Sequence, residues 1–577
     1  MSNATLPPSF PSWEPTWQPS SQPSFQPSSE PSAPTSLPTW EPTLMDAEEQ
    51  HETDAFEVVF LNIILIICVF LAYFIKQYKL YFLPESAATM IIGVIIGGLV
   101  TFFLSDLTLY QFSPEFFFFV LLPPIIFEAG YSLEKQHFFT NIGAITLYAV
   151  FGTIISTFFV GGLTYLFAQK GYITGISTTN PMESLLFGAL ISAVDPVATL
   201  SIMNNPELQC NKLLYSLVFG ESVLNDAVAI VLFKTFREYF DPESPDLSEW
   251  DIPKVFLSFF SVSVMSIVVG VLLGIMTSYL YKHTSISNYA NLESTLLFLF
   301  CYFCYAVAES LGLSGIMALF FNGIILSHYN SHNLSEGSRH ASEQIFATLA
   351  TISETIVFLY MGMGAFTGKF ANWNLKFSLF TMLFCVLGRF LNIIPLSRIL
   401  NNFRRKQSEK IGCKMQMVLW FAGLRGAIAY ALAENMPGEN KSTYVSGTLS
   451  ICMITTVICG GFTERILSLA GMKESDESII DDEEIEDEEG ESLMIFDRPR
   501  TDIEKRHGGI KDALAQFDKN FLQVYLGGDK APSHASKRNN NKVAANITNG
   551  EIELEDLKNG RKDHPEGKSG PRIVHLT

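Results

Sequence analysis

Long apolar segments separated by short polar ones run from about residue 56 to residue 470. Each apolar window holds about 20 residues, which is enough to cross the hydrocarbon core of a bilayer as a helix. A soluble α/β protein with buried strands would show apolar runs of only about 4–8 residues. The predicted spans, about thirteen in number, are 56–75, 86–104, 115–132, 142–168, 183–203, 213–236, 253–281, 290–309, 311–327, 345–367, 374–397, 411–433 and 443–470. The pattern predicts an all-α polytopic membrane protein.

Composition agrees with this prediction. Of 577 residues, 48% are hydrophobic and 17% are charged, and the mean hydropathy is +0.25. The charged fraction lies below the roughly 25% of soluble domains. Cys301 and Cys304 have C-x-x-C spacing, but no neighbouring histidine or second cysteine pair completes a metal site. These cysteines lie in an apolar segment, where we expect them to act as small hydrophobic residues.

The two ends of the chain differ from its centre. Residues 1–55 carry a degenerate Pro-Ser and Pro-Thr repeat, which cannot bury a core and predicts a disordered stalk. No apolar stretch of a cleavable signal peptide follows the first methionine, so the first span would act as a signal anchor. Residues 471–577 form an acidic and largely disordered tail, with a dense run from Asp481 to Glu491. Helical apolar spacing over residues 512–526 indicates a segment that docks on the membrane or on protein.

Lysine and arginine side chains occur in every second loop, and such loops face the cytosol. The opposite loops are acidic or neutral. This parity predicts a lumenal or extracellular amino terminus and a cytosolic tail. The basic loop residues are Lys76, Lys79, Lys135, Lys212, Lys282, Arg339, Arg398, Arg404, Arg405, Lys406 and Lys410.

Two carboxylates, Glu221 and Asp226, lie in an apolar span. An ionised carboxylate at the bilayer centre costs roughly 2.5 kcal/mol or more, so such residues usually face a wet cavity and have a function. At 100° per residue, Ser222 and Asp226 lie nearly on one line of the helix, and Glu221 and Asn225 lie on another. Glu221 and Asp226 are about 140° apart around the axis. We therefore expect one of them to face a transport cavity and the other to need a structural counter-charge.

A proline follows an acid in another span, at Asp195 and Pro196. The proline removes a helix hydrogen bond and favours a local break, and within a membrane a broken backbone persists only where it lines a cavity or is buried in protein. Freed carbonyls then become cation ligands, as in transporters with discontinuous helices. A simple kink is the alternative. Arg425 stands between two glycines in a later span, where the backbone can open and helices can approach closely.

Further charged residues remain open to several interpretations. Arg389 lies at span depth and needs an acid; Glu221 is the candidate partner, and snorkelling to the interface is the alternative. Glu128 and Glu354 are each a ligand, a pairing partner or an interfacial residue. His328 and His332 have i,i+4 spacing, but the surrounding Asn, Ser and Gly favour a cytosolic loop over a metal site, and a cytosolic pH sensor is the other hypothesis.

Five motifs together resemble those of the eukaryotic sodium/proton exchangers of the monovalent cation:proton antiporter superfamily. They occur in the family order and lie within residues 56–470, and the Ile-Phe-Glu-Ala-Gly-Tyr-Ser-Leu variant is most similar to the Golgi-type branch. The motifs are FFVLLPPIIFEAGY (118–131), SAVDPVA (192–198), FGESVLND (219–226), LSGIMA (313–318) and GLRGAI (423–428).

The resemblance implies roles for individual residues. Asp226 would bind either cation or proton, Asn225 would mark the electroneutral class, and Ser222 and Asp195 would help to hold the ion. Glu221 would pair with Arg389. The crossed-helix and accessory residues would be Pro196, Thr199, Arg425 and Glu128, and the segment similar to the amiloride-sensitive one would include Phe119 and Gly130. Glu128 stands where well-known plasma-membrane members have Asp.

The resemblance also implies a homodimer with a dimerisation domain and a core transport domain, built from inverted repeats and crossed discontinuous helices. Residues 56–470 would form this exchanger domain in a Golgi or endosomal membrane, with the plasma membrane as the alternative. Na⁺ or K⁺ would exchange for H⁺ without net charge, to regulate lumenal pH. We expect no enzymatic activity, cofactor, nucleic-acid partner or metal beyond the transported cation, and cytosolic regulators of the tail. A cation channel and a transporter-derived sensor are the rival classes.

Overall fold

The computed structural model describes residues 44–80, 82–103, 113–195, 197–203, 210–240, 251–366, 373–404, 410–471, 518 and 522–527. The predicted stalk up to residue 43, Pro196 and the acidic run of the tail lie outside these residues. The chain divides into two compact units, residues 1–62 and residues 63–577. In the first unit the described residues are helical. The site lies in the second unit, and the predicted domain boundaries at residues 55 and 470 stay predictions.

Every regular element of the described residues is helical, as the apolar pattern predicts. The α-helices are α1 (Leu44–Gln77), α2 (Glu85–Phe103), α3 (Pro114–Phe116), α4 (Leu122–Tyr131), α5 (Lys135–Thr146), α6 (Thr153–Gln169), α7 (Pro181–Ile191), α8 (Val197–Met203), α9 (Lys212–Glu238), α10 (Asp251–His283), α11 (Ala290–Ser310), α12 (Gly315–Ile325), α13 (Glu336–Met363), α14 (Leu375–Phe403), α15 (Cys413–Phe421), α16 (Ala427–Glu434), α17 (Lys441–Ile454), α18 (Gly460–Ala470) and α19 (Gln523–Leu526). Wider π-helical turns join or extend several of these, at Phe117–Leu121, Leu147–Gly152, Leu326–Asn330 and Thr455–Cys459.

Ten helical stretches within the described residues are long and apolar enough to cross a membrane. Each of the thirteen predicted spans contains one helix or a pair of helices, and the exact number of crossings stays a prediction. On α10 only 17% of the most apolar window is buried against the rest of the chain, so most of its apolar side chains face outward, as lipid contact requires. The protein is a multi-pass membrane protein.

Two predicted spans are each interrupted in the middle. The span at 183–203 is divided into α7 and α8, and the span at 411–433 into α15 and α16. Helix α7 has 11 residues, so it rises about 16 Å and cannot cross a hydrocarbon core of about 30 Å alone. Each pair of short helices therefore shares one crossing, and each break lies at membrane depth.

The helices pack in two groups. In the first, α2 and α4 pack on α13, and α4, α10 and α11 pack on α12. In the second, α6 packs on α7 and α14, α5 packs on α9, and α16 packs on α17. Helix α10 contacts both α12 of the first group and α9 of the second. The two broken helices belong to the second group, so the backbone groups that the breaks leave without intrahelical partners lie in that group.

Candidate functional site

The breaks of the two interrupted helices lie against each other. The backbone N–H of Asp195, in the first break, donates to the carbonyl of Leu424, in the second, over 3.1 Å. Helix breaks leave backbone donors and acceptors without intrahelical partners. In lipid each such group must be satisfied within the protein. The two breaks satisfy part of this demand by pairing with each other.

The Asp195 carboxylate lies where two helices begin. Its Oδ1 accepts from the N–H of Val197 at 3.0 Å, and its Oδ2 accepts from the N–H of Ala427 at 3.4 Å. These are the first residues of α8 and α16. Free N–H groups at a helix start carry partial positive charge, so the negative charge of Asp195 is balanced by two helix ends. Gly426 makes this approach possible, because a Cβ there would lie 1.8 Å from Oδ2 of Asp195.

Arg425, in the second break, places a positive charge at the carboxyl end of α7. Its Nη1 donates to the carbonyls of Ser192 and Ala193, at 2.9 and 3.0 Å, just after the end of α7. The side chain is 2% exposed. A cation at the carboxyl end of a helix meets the partial negative charge of the free carbonyls. Arg425, which belongs to the second broken helix, thus satisfies backbone carbonyls that the first break leaves without intrahelical partners.

Helix α9 supports the first break through two polar side chains. The Ser222 hydroxyl donates to the carbonyl of Val194 at 2.7 Å, and Oδ1 of Asn225 accepts from the Val194 N–H at 2.8 Å. The Asn225 amide nitrogen donates to the hydroxyl of Thr153 on α6. Both backbone groups of Val194 are therefore satisfied by α9. The amide of Asn225 is oriented by these contacts, since its oxygen and its nitrogen each have a partner.

Asp226 lies one residue beyond Asn225 and has a different environment. Its side chain is buried, and its Oδ1 has no hydrogen-bond partner among the described residues. It lines a cavity of about 550 Å³ that also reaches Asp195 and Ser222. The cavity extends past α4 to the loop at residues 132–134 and lies between the two helix groups. Asp226 is therefore a carboxylate that borders this cavity while one of its oxygens is buried without a hydrogen bond from the described residues.

Glu221 faces away from this cavity and forms an ion pair. Arg389 of α14 donates through Nη1 to Oε1 of Glu221 and through Nη2 to Oε2, the latter at 3.0 Å. Nη2 also donates to the carbonyl of Leu419 near the end of α15 at 3.0 Å. Both charged side chains are buried. A parallel two-bond pair of this kind has fixed geometry and holds α9, α14 and α15 together.

The other predicted residues are divided between the cavity and its surroundings. Glu128 lines the cavity. Thr199 is buried in α8, and its hydroxyl has no partner among the described residues. Gly130 is in close contact with α12, since a Cβ there would lie 2.4 Å from the carbonyl of Phe320. Phe119 is exposed and its ring is near that of Tyr305. Neither Phe119 nor Gly130 lines the cavity, whereas their neighbours Phe117 and Ala129 do.

The sequence indicates some contributors to the site only weakly or not at all. Thr153 is one hydroxyl among many in the apolar spans, and only the packing of α6 on α9 reveals its contact with Asn225. Glu354 of α13 was open to three interpretations and lines the cavity. Glu134 lines it near the loop end. Four acidic side chains besides Asp226 therefore border this space.

Comparison with known proteins agrees with this arrangement. Residues 64–469 match the family described as sodium/hydrogen exchanger, transmembrane. The chain is 38% identical to sodium/hydrogen exchanger 8 of Homo sapiens over 438 residues, which cover 74% of each chain. It is 37% identical to sodium/hydrogen exchanger 5 of Arabidopsis thaliana over 421 residues, 71% of this chain and 79% of the relative.

A solved structure shares the fold. The sodium proton antiporter MjNhaP1 from Methanocaldococcus jannaschii aligns with a TM-score of 0.55 and 18% identity, over 72% of this chain and 97% of that one. At this identity the likeness concerns the fold alone. The family match covers both broken helices, α9 and the cavity between the two helix groups. The chain therefore belongs to the sodium/hydrogen exchanger family of multi-pass membrane proteins.

Proposed function

We propose that the protein is an electroneutral antiporter that exchanges Na⁺ or K⁺ for H⁺, and that Asp226 is the carboxylate that binds either ion. The single observation that carries this proposal is the difference between the two aspartates of the cavity. Asp195 is engaged by two helix starts, whereas Oδ1 of Asp226 is buried without a partner. A carboxylate in that position is penalised when it is charged and empty. A cation or a proton relieves the penalty.

Competition at one carboxylate accounts for the exchange. With a cation bound, Asp226 is ionised and the pair is neutral overall; with a proton bound, the side chain itself is neutral. Either loaded form can cross, and the empty charged form is disfavoured by desolvation. One cation then moves for one proton. Ser222 and Asp195 would contribute oxygen ligands. Asn225 would fix the backbone of the first helix break next to Asp226. Arg425 and Thr199 would stabilise the region where the two broken helices cross.

The packing supports alternating access. The cavity lies between the helix group of α4 and α13 and the group of α8, α9 and α16, so a relative displacement of the groups would change which side it opens to. Its loop end, at residues 132–134, adjoins Lys135, which the charge pattern assigns to the cytosol. We infer an inward-open state, with the first group as the dimerisation domain of a homodimer and the tail as a target of cytosolic regulators.

The sequence resemblance supports a proposal for the compartment and the physiological role. The motifs resemble the Golgi-type branch, and the named relatives include sodium/hydrogen exchanger 8. We infer a Golgi or endosomal membrane, with the amino terminus in the lumen. There, cation entry coupled to proton exit would counteract acidification by a proton pump. Discrimination between Na⁺ and K⁺ depends on cavity size and ligand number as well as on ligand identity.

The test is cation-dependent proton movement in proteoliposomes. Wild-type protein should dissipate an imposed pH gradient on addition of Na⁺ or K⁺ and should generate no current in a planar bilayer. Asp226→Asn should abolish the response while the protein remains folded. Glu343→Gln, which changes a half-exposed carboxylate outside the cavity, is the matched control and should behave as wild type. Exchange by Asp226→Asn would refute the role of Asp226, and cation-driven current would indicate a channel.

A further inference from the structure

A short piece of the tail packs on the membrane domain. Helix α19 contacts the end of α10 and the π-helical turn Leu326–Asn330 that follows α12. Asp518, Gln523 and Leu526 are buried there. Residues 472–517 separate this piece from α18. A chain of that length can reach about 150 Å when extended, so connectivity alone does not hold the piece in place. Its position depends on local contacts.

Two side chains of the membrane domain bind the carbonyls at the end of α19. Lys282, in the last turn of α10, donates from Nζ to the carbonyl of Val524 at 2.6 Å and to that of Gln523 at 3.4 Å. Asn333 donates from Nδ2 to the carbonyl of Leu526 at 2.6 Å. The last carbonyls of a helix lack intrahelical partners and attract cations and amides. The membrane domain therefore recognises the backbone end of this helix.

The other end of the piece is held through Asp518. Its carboxylate accepts from the hydroxyl of Tyr329 and, at 3.1 Å, from Nε2 of Gln523. The ring of His328 is buried beside it, with Nε2 4.0 Å from the carboxylate. Neither ring nitrogen of His328 has a hydrogen-bond partner among the described residues. An interface that leaves buried polar groups unpaired forfeits part of its stability, which favours reversible docking.

Gly527 fits the interface only because it has no side chain. Its φ is +113°, in the region that favours glycine. A Cβ at this position would lie 2.6 Å from the carbonyl oxygen of Tyr329 and 2.5 Å from Oδ1 of Asn333. One of these contacts is with backbone, which cannot move aside cheaply. Any other residue at 527 would displace the tail from this surface.

We propose that the tail segment described at residues 518 and 522–527 is a tethered ligand of the membrane domain, and that its groove, formed by Lys282, His328, Tyr329 and Asn333, is a regulatory docking site that the chain itself occupies. The segment joins the end of α10, the helix that contacts both helix groups, to the turn after α12. Its docked state covers the groove. A cytosolic partner that binds the segment would expose it. Docking of the tail does not depend on which ion the cavity carries.

Amide hydrogen exchange on the full-length protein in lipid nanodiscs tests the proposal. Gly527→Val should make the amides of residues 326–334 exchange roughly tenfold faster, because the docked segment no longer protects them. Lys282→Met should act in the same direction with a smaller effect. Val524→Thr is the matched control, since that side chain is half exposed on the same helix, and it should leave the exchange unchanged.

The amides of α9 serve as an internal reference for general unfolding. Faster exchange over 326–334 with an unchanged α9 supports docking. Unchanged exchange of residues 326–334 in Gly527→Val would overturn the proposal, because the groove would then be protected without the segment. Equal acceleration in Val524→Thr would also overturn it, because the specific contact of Gly527 would not matter.

Discussion

Gly426 and Asp195 are in contact across the two broken helices, and the contact leaves no room for a side chain on the glycine. A Cβ on Gly426 would lie 1.8 Å from Oδ2 and 2.2 Å from the Cβ of Asp195. The N–H of Ala427, the next residue, donates to the same carboxylate oxygen. The glycine thus brings the start of α16 to the acid that also starts α8. The crossing depends on this approach.

Gly426→Ala should therefore separate the two breaks. We expect exchange in proteoliposomes to fall at least about tenfold and the melting temperature to drop, because overpacking of this kind costs roughly 1–3 kcal/mol or more. Gly162→Ala is the control, since no atom lies within 4 Å of a Cβ placed there on α6. Wild-type exchange by Gly426→Ala would show that the close contact is not required.

The Glu221–Arg389 pair provides a comparison of a buried and an exposed ion pair in one chain. Glu221→Gln leaves Arg389 buried without its counter-charge, which should cost about 3–5 kcal/mol of stability. Lys234→Met breaks the more exposed pair of Lys234 with Glu309 and should cost under about 1 kcal/mol. Thermal unfolding in detergent measures both variants. Similar losses in the two would argue against a structural role for Glu221.

A double variant in which the two charged residues are swapped tests the pairing itself. Glu221→Arg combined with Arg389→Glu should recover part of the stability lost in either single variant. Recovery should be incomplete, because a glutamate at 389 cannot donate to the carbonyl of Leu419. No recovery relative to the single variants would count against a direct interaction as the reason for their loss.

Much of this architecture could be predicted from the sequence, because apolar length and helical angle are local properties. The angle separates Glu221 from Asp226, and in the structure the first contacts Arg389 while the second lines the cavity. The proline at 196 indicates a break in one helix. Which groups meet at the break depends on helices distant in sequence. The contacts of Asp195 with Ala427 and of Asn225 with Thr153 therefore became apparent only in three dimensions.

Arg425 offers a test of charge at the carboxyl end of α7. Arg425→Met leaves the carbonyls of Ser192 and Ala193 buried without donors, which should cost about 1–3 kcal/mol for each. Arg425→Lys keeps the charge but loses the planar group, so it should retain more stability and exchange than the methionine variant. Melting temperature and exchange rate measured together distinguish the variants. Equal loss in both would mean that geometry rather than charge matters here.

The docked tail should respond to pH through His328, which lies just beyond the span predicted to end at residue 327. Burial, together with the smaller effects of the positive charge of Lys135 and of the neighbouring His332, lowers the pKa of His328 to about 3. Tyr329 packs against the ring and Asp518 lies 4.0 Å from it. Burial raises the pKa of Asp518, and the hydrogen bonds from Tyr329 and Gln523 oppose that shift. The two shifts have opposite consequences for docking.

Acidification from pH 7.5 to 6.0 should weaken docking about fourfold, because a released His328 with an ordinary pKa of about 6.5 takes up a proton that the docked state excludes. The contribution of His328 to docking is fully present above the pKa of the released histidine, and it is lost as the pH falls towards the lowered pKa of the docked histidine. Asp518 acts oppositely, but ordinary aspartate titrates only near pH 4, below this window. The rate of hydrogen exchange of amides 326–334 should be measured in the wild type and in His328→Gln at each pH, and the ratio of the two rates cancels the intrinsic chemical rate. A ratio of wild-type to variant rate that stays constant from pH 7.5 to 6.0 would show that His328 is not the titrating group.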